Sequence, residues 1–148
     1  MLLRRALLTL CLAGSPMAAL ADSMSMQGAS AGRAAWAAFE CAGYAHLAAQ
    51  ESEAQRLTQF GIDQGRKFLK AHRSGQITKA DLEHVVPADV YLYPEGPSDD
   101  FNLGLIYSRA AESAASKVRT KSKPSELAMW LMVASEESAN ANCMLIGR

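Results

Sequence analysis

The chain has 148 residues, of which 49% are apolar and 20% are charged, and its formal net charge at pH 7 is zero. This length and composition predict one globular domain with its own core, and they exclude a disordered tail and a membrane protein. The balanced charge argues against a surface for nucleic acid, so we expect no nucleic-acid partner.

The first 21 residues have the three parts of a secretory signal peptide. Arg4 and Arg5 give a positively charged start, Ala6 to Leu12 form an apolar run, and Ala19-Leu20-Ala21 is a small-x-small cleavage site. The apolar run is shorter than the ~20 residues that cross a bilayer. We therefore expect cleavage near Ala21 and a soluble periplasmic or secreted product without a membrane span.

The remaining chain divides into a leader and one domain. Residues 22–30 are small and polar without periodicity and predict a flexible leader, whereas residues 31–148 predict a single helical domain. In the leader, Met24 and Met26 offer two thioethers, a ligand type that suits Cu(I). The alternative is a plain flexible terminus, and we expect no cofactor.

Apolar residues recur at helical spacing in four long segments. These segments run from about 31 to 50, 52 to 74, 98 to 119 and 125 to 143, and a short helix extends from a cap at Thr78 to about Val85. The third long helix carries apolar residues on two sides, which predicts a central position. The predicted fold is all-α, with four main helices and one short helix in an irregular bundle.

Two patterns within these helices predict how they pack. Gly61 and Gly65 lie one turn apart in the second long helix, where each costs about 1 kcal/mol relative to alanine, so they predict a closely approaching backbone. In the last long helix the predicted inner stripe consists of Leu127, Trp130, Leu131, Ala134, Ser138 and Ala141.

The segment from Pro87 to Pro97 contains prolines, a glycine and two tyrosines, and it predicts an extended run across the helices. A tyrosine side chain combines a rigid apolar ring with a polar tip, which suits recognition of a partner. Tyr91, Tyr93 and Glu95 are therefore the candidate partner-binding residues. The alternative is that these rings cover the open side of the bundle.

Cleavage of the signal peptide removes Cys11 and leaves Cys41 and Cys143. An even pair in an oxidising compartment predicts a disulfide, here between the first and last helices. Neither cysteine belongs to a C-x-x-C motif or a Cys/His cluster, so we expect no catalytic or metal-binding thiol. Two free thiols are the alternative.

The sequence contains no recognisable catalytic arrangement. The three histidines come from three different elements, adjacent carboxylates on a helix point apart, and the serines lie outside G-x-S-x-G and S-x-x-K motifs. We expect no catalytic residue and no metal ligand. The alternative is a small hydrolase or a metal carrier, with a cleft lined by His46, His84 or Glu40.

The pattern Cys41-x-Gly43-Tyr44 in the first helix, with a distal cysteine, resembles Rap/Tai-type immunity proteins, which neutralise peptidoglycan-cutting effectors in the periplasm. The resemblance covers a few residues of one helix and assigns no site residues. It implies an alternative function as a periplasmic inhibitor or immunity protein against a cell-wall-degrading enzyme. The residues themselves favour a non-catalytic secreted protein that binds a protein partner or an envelope component.

Overall fold

The computed structural model describes residues 16–92, 96–122 and 126–148. Over these residues the chain forms six α-helices, a 3-10 helix at Cys143–Leu145 and no β-strand. The helices are α1 Pro16–Leu47, α2 Glu51–Arg73, α3 Lys79–Val85, α4 Ala88–Tyr91, α5 Asp99–Lys121 and α6 Leu127–Asn140. The all-α prediction is confirmed. The described residues contain the four predicted long helices, but two short helices in place of one.

α1 begins well before the predicted start at residue 31, because residues 22–30 are part of this helix. Ser25 is fully buried, and its Oγ donates to Asp81 Oδ2 at 2.5 Å and accepts the Thr78 amide N–H at 2.8 Å. Small residues here lack apolar periodicity, yet their size lets α2 approach closely: a Cβ on Gly28 would lie 2.9 Å from Ala71 Cβ. The prediction of a flexible leader was therefore wrong. Most of the predicted signal peptide, residues 1–15, lies outside the described residues.

α1, rather than α5, has the central position. It packs against each of the other five α-helices. Its buried alanines leave room for neighbouring side chains on several sides, and they include Ala35, Ala38, Ala42 and Ala45. α5 buries one stripe, and the Phe101 and Tyr107 side chains that suggested further apolar sides are exposed.

Gly61 and Gly65 mark close contacts, as their spacing predicted, but side chains fill the space. A Cβ on Gly61 would lie 2.5 Å from the Phe39 ring, and one on Gly65 would lie 2.3 Å from Leu103 Cδ2. The neighbours are therefore side chains of α1 and α5, not a backbone.

The segment from Pro87 to Pro97 is not extended throughout, because residues 88–91 form the single turn α4. Pro87 precedes this turn with φ −56° and ψ 139°, and its carbonyl accepts the Val90 amide at 2.9 Å. Proline has a fixed φ and lacks an N–H, so it suits the start of a helix as well as its end. Residues 93–95 lie outside the described residues.

The interior consists of two apolar clusters along α1. The first core cluster surrounds the middle of α1 and contains Ala29, Ala31, Ala35, Phe39, Phe68, Leu69, Val86, Val90, Leu103, Ile106 and Ala110. The second core cluster surrounds the C-terminal half and contains Cys41, Ala42, Tyr44, Ala45, Ala54, Leu57, Ala114, Val118, Val133, Ala134 and Cys143. Of the described helices, none has the length and apolar character to cross a membrane.

Candidate functional site

Cys41 and Cys143 link α1 to the 3-10 helix within the second core cluster. Their Sγ atoms lie 1.93 Å apart and their Cα atoms 5.5 Å apart, across 102 residues of sequence. Both residues are buried. The structure thus pairs the cysteines that the sequence analysis paired, and a bonded sulfur is not available as a nucleophile or metal ligand.

A polar cluster of Glu40, Tyr44, Ser113 and Lys117 lies between α1 and α5. Glu40 Oε1 accepts hydrogen bonds from Ser113 Oγ and Lys117 Nζ, each at 2.7 Å. The Glu40 side chain is only 14% exposed, so its charge needs this compensation. One turn of α5 further on, Lys121 Nζ donates to Glu137 Oε1 of α6 at 2.5 Å.

The protonation of the polar cluster follows from burial and charge. Burial, together with the negative charge of Glu40, raises the pKa of Tyr44 above its ordinary value. At Lys117 burial alone would lower the pKa, but the hydrogen bond and charge of Glu40, with the Tyr44 contact, outweigh it and raise the pKa. Both groups therefore keep their protons at neutral pH and neither is a base there. The cluster ties α1 to α5.

The predicted cleft residues have separate surroundings. His46 is exposed, with Nδ1 3.6 Å from Glu51 Oε2, and Glu40 belongs to the polar cluster. His84 is also exposed, and the neighbouring Asp81 carboxylate is held by Ser25 and Thr78. The structure brings no three His, Cys, Asp or Glu side chains together as metal ligands among the residues it describes.

Met24 and Met26 lie on different sides of α1. Residues two apart on a helix do not face each other, and the buried Ser25 between them points towards α3. The two thioethers therefore are not placed to bind one copper ion together. Both sulfur atoms could reach one ion from a flexible leader, but in the structure these residues belong to a helix.

Of the three candidate partner-binding residues, the structure describes only Tyr91. This side chain is half-buried and packs against the first core cluster, so it serves the interior as well as the surface. Tyr93 and Glu95 lie outside the described residues. The next described side chain in the segment, Leu92, is 57% exposed.

The sequence analysis missed an apolar surface on α6, here called the α6 face: Leu127, Ala128, Leu131 and Met132. Leu127 and Met132 are 72% and 62% exposed, whereas the buried side of the helix is formed by Val133, Ala134 and Glu137. The predicted inner stripe was wrong at Leu127 and at Ala141, which are both exposed. Apolar residues occur around the whole first half of α6, so periodicity could not identify the buried side. Apolar residues on all sides of a helix are themselves a sign that the helix has a second contact surface.

The 3-10 helix adds two exposed apolar side chains, Met144 and Leu145. Cys143 anchors this turn through the disulfide, and Arg56 Nη1 donates to the Ile146 carbonyl at 2.8 Å. Arg56 is itself paired with Glu53 at 2.7 Å. The turn is therefore held on both sides of its exposed residues.

The Cys41-x-Gly43-Tyr44 motif has a packing role in the structure. Cys41 is bonded to Cys143, a Cβ on Gly43 would lie 2.9 Å from Ala114 Cβ of α5, and Tyr44 is buried. An inhibitory function would have to use other residues for its target. Comparisons of the chain with protein-family models, with curated proteins and with solved structures give no match.

Proposed function

We propose that this protein is an exported, non-catalytic binding protein that docks a partner protein through the α6 face. The proposal includes a signal peptide cleaved near Ala21 and a periplasmic or extracellular location. A bonded cysteine pair and the lack of a spanning helix among the described residues are compatible with that location. The observation that carries the proposal is the exposure of Leu127 and Met132.

Side chains of this kind are costly to leave in water. Burial of one leucine or methionine contributes about 1.5–3 kcal/mol, so a partner that covers the α6 face gains several kcal/mol before the costs of association. The face belongs to a regular helix rather than a loop, which limits the side-chain and backbone entropy lost on docking. Single exposed apolar residues are ordinary on protein surfaces, but adjacent ones on successive turns of one helix are typical of interaction sites.

A partner protein fits this surface better than a catalytic substrate does. The members of this surface carry no acid, base or nucleophile. A small hydrolase or metal carrier gains no support from the described side chains, because His46, His84 and Glu40 each have different surroundings. An inhibitor of a cell-wall-degrading enzyme is one form of the proposed binding function, with that enzyme as the partner.

Site-specific photo-crosslinking of the processed, oxidised protein in cell envelopes tests the proposal. A crosslinker at residue 132 should yield one discrete adduct, and Met132→Lys should abolish the same adduct when the crosslinker is placed at residue 128. Leu92→Lys is the matched control, because Leu92 is similarly exposed but borders the segment of Tyr91, Tyr93 and Glu95. It should leave the adduct unchanged.

The opposite pattern would contradict the proposal. If Leu92→Lys or Tyr93→Ala removes the adduct and Met132→Lys does not, the tyrosine segment is the binding surface. If residue 132 crosslinks only to lipid, the bound object is the membrane surface and not a protein.

A further inference from the structure

A groove runs along the seam between the N-terminal half of α1 and the C-terminal half of α2. Its volume is about 640 Å³, which is within the ~300–1,000 Å³ typical of ligand pockets. Ala31, Ala34, Phe60 and Ala71 provide apolar walls, and Met24 also lines the groove. The groove lies next to the first core cluster and involves no residue of α6.

Two lysines stand on the α2 side of this groove, Lys67 and Lys70. They are three residues apart, so their side chains emerge from neighbouring positions on the helix surface. The α1 side contributes no charged residue, because its lining consists of Met24, Gln27, Gly28, Ser30, Ala31 and Ala34. Positive charge is thus concentrated along one wall of an otherwise neutral groove.

The lysines differ from the other cations of the same helix in having no ionic partner among the residues that the structure describes. Arg66 Nη2 lies 3.3 Å from Asp100 Oδ1, and Arg73 Nη1 lies 2.7 Å from Asp99 Oδ1. No ion pair involves Lys67 or Lys70 anywhere in residues 16–92, 96–122 and 126–148. Asp63, one turn before Lys67, instead accepts from Gln59 Nε2 at 3.1 Å.

We infer that this groove binds a single-chain anionic amphiphile, an alkyl chain that ends in a carboxylate. The apolar walls bury the chain, and the two ammonium groups hold the carboxylate by charge-assisted hydrogen bonds. An acidic helix is a poorer fit, since it would present carboxylates along its length while the cations of the groove occupy one stretch of one wall. The inferred site is separate from the α6 face, so either proposal stands or falls alone.

Calorimetric titration of the processed, oxidised protein with dodecanoate, below its micelle concentration, tests the inference. We expect saturable binding of one dodecanoate per chain, and at least about tenfold weaker binding to a Lys67→Gln/Lys70→Gln variant. Arg66→Gln is the matched control, because it removes a neighbouring cation that faces Asp100, and it should leave the affinity unchanged. Ala34→Trp, which fills the groove, should abolish binding while circular dichroism confirms the fold.

Three results would overturn the inference. The first is no saturable binding up to about 1 mM, the weak limit of specific recognition. The second is equal affinity in the native protein and the double lysine variant. The third is equal binding of dodecyltrimethylammonium, which has the same chain and the opposite charge, since the lysines would then contribute nothing to recognition.

Discussion

The two halves of the molecule along α1 both pair charged side chains across helices, and they differ in what else lies beside those pairs. Around the second core cluster, charged side chains pair across helices, as Glu40 does with Lys117 and Glu137 with Lys121, and a disulfide lies beside them. Around the first core cluster, Arg66 and Arg73 of α2 also pair across helices, with Asp100 and Asp99 of α5, but the helices leave an open groove with two lysines that have no ionic partner among the described residues. Paired charges hold helices together, whereas unpaired ones beside an apolar groove are free to bind a ligand.

Removal of the disulfide should have the largest effect on stability and should act through the second half. In the chain-entropy model, closing a loop of about a hundred residues contributes about 4–5 kcal/mol, and measured losses are about 2–5 kcal/mol. We expect Cys41→Ala/Cys143→Ala to lower the free energy of unfolding by that amount in urea titrations. A loss below about 1 kcal/mol would mean that the polar cluster and apolar packing already fix the second half.

A smaller loss is expected where the second half is packed most tightly. A Cβ on Gly43 would lie 2.9 Å from Ala114 Cβ and 3.2 Å from Ala111 Cα, a backbone atom that cannot yield cheaply. Gly43→Ala should therefore destabilise the protein by about 1–3 kcal/mol. The matched control is Gly104→Ala in α5, which meets nothing within 4 Å and should stabilise by up to about 1 kcal/mol. Equal effects of the two variants would contradict the packing of α1 on α5.

The polar cluster should make stability sensitive to alkaline pH. The pKa values of Tyr44 and Lys117 are raised above 10.0 and 10.5, so their stabilising contribution is complete below those values and is lost as pH rises through the folded-state pKa. As the pH rises from about 10 to about 11, Tyr44→Phe should lose less stability than the native protein. Tyr107→Phe, at an exposed position, should follow the native curve. If both variants follow it, Tyr44 does not contribute to the pH dependence.

The smallest effects are expected at the basic side of α2. Arg73→Gln removes an ion pair with Asp99 whose side chains are both about half exposed, so the free energy of unfolding should fall by no more than about 1 kcal/mol. Lys70→Gln removes a cation without an ionic partner among the described residues and should cause no loss. A clear loss with Lys70→Gln, measured by urea titration, would show that this lysine stabilises the fold and would weaken the distinction between the two halves.

Local features of the fold could be read from the sequence. Thr78 caps α3 as predicted, Ser98 caps α5 at the predicted start of that helix, and the cysteine count specified the pairing. The start of α1 could not be predicted, because the burial of Ser25 depends on a partner 56 residues away. Periodicity also could not predict the buried side of α6, because apolar residues occur on every side of its first turns.

The candidate sites needed the tertiary structure for a related reason. Lys67 and Arg66 are adjacent cations on one helix, and only the position of Asp100 on α5 distinguishes the paired one from the other. Likewise Leu127 and Val133 are both apolar residues of α6, and only the packing against α1 and α5 decides which of them is buried. Sequence patterns identify the residue types of a surface, but the partners of each residue are set by contacts between distant segments.

The disulfide also determines which fragments stay covalently joined after proteolysis. Since Cys41 and Cys143 enclose α2 to α6, one cut anywhere between them leaves both pieces in a single covalent molecule. A cut before Cys41 instead detaches the N-terminal half of α1, which forms one wall of the groove. A protease that cuts there would therefore remove one wall of the amphiphile site, while the α6 face would stay on the crosslinked remainder.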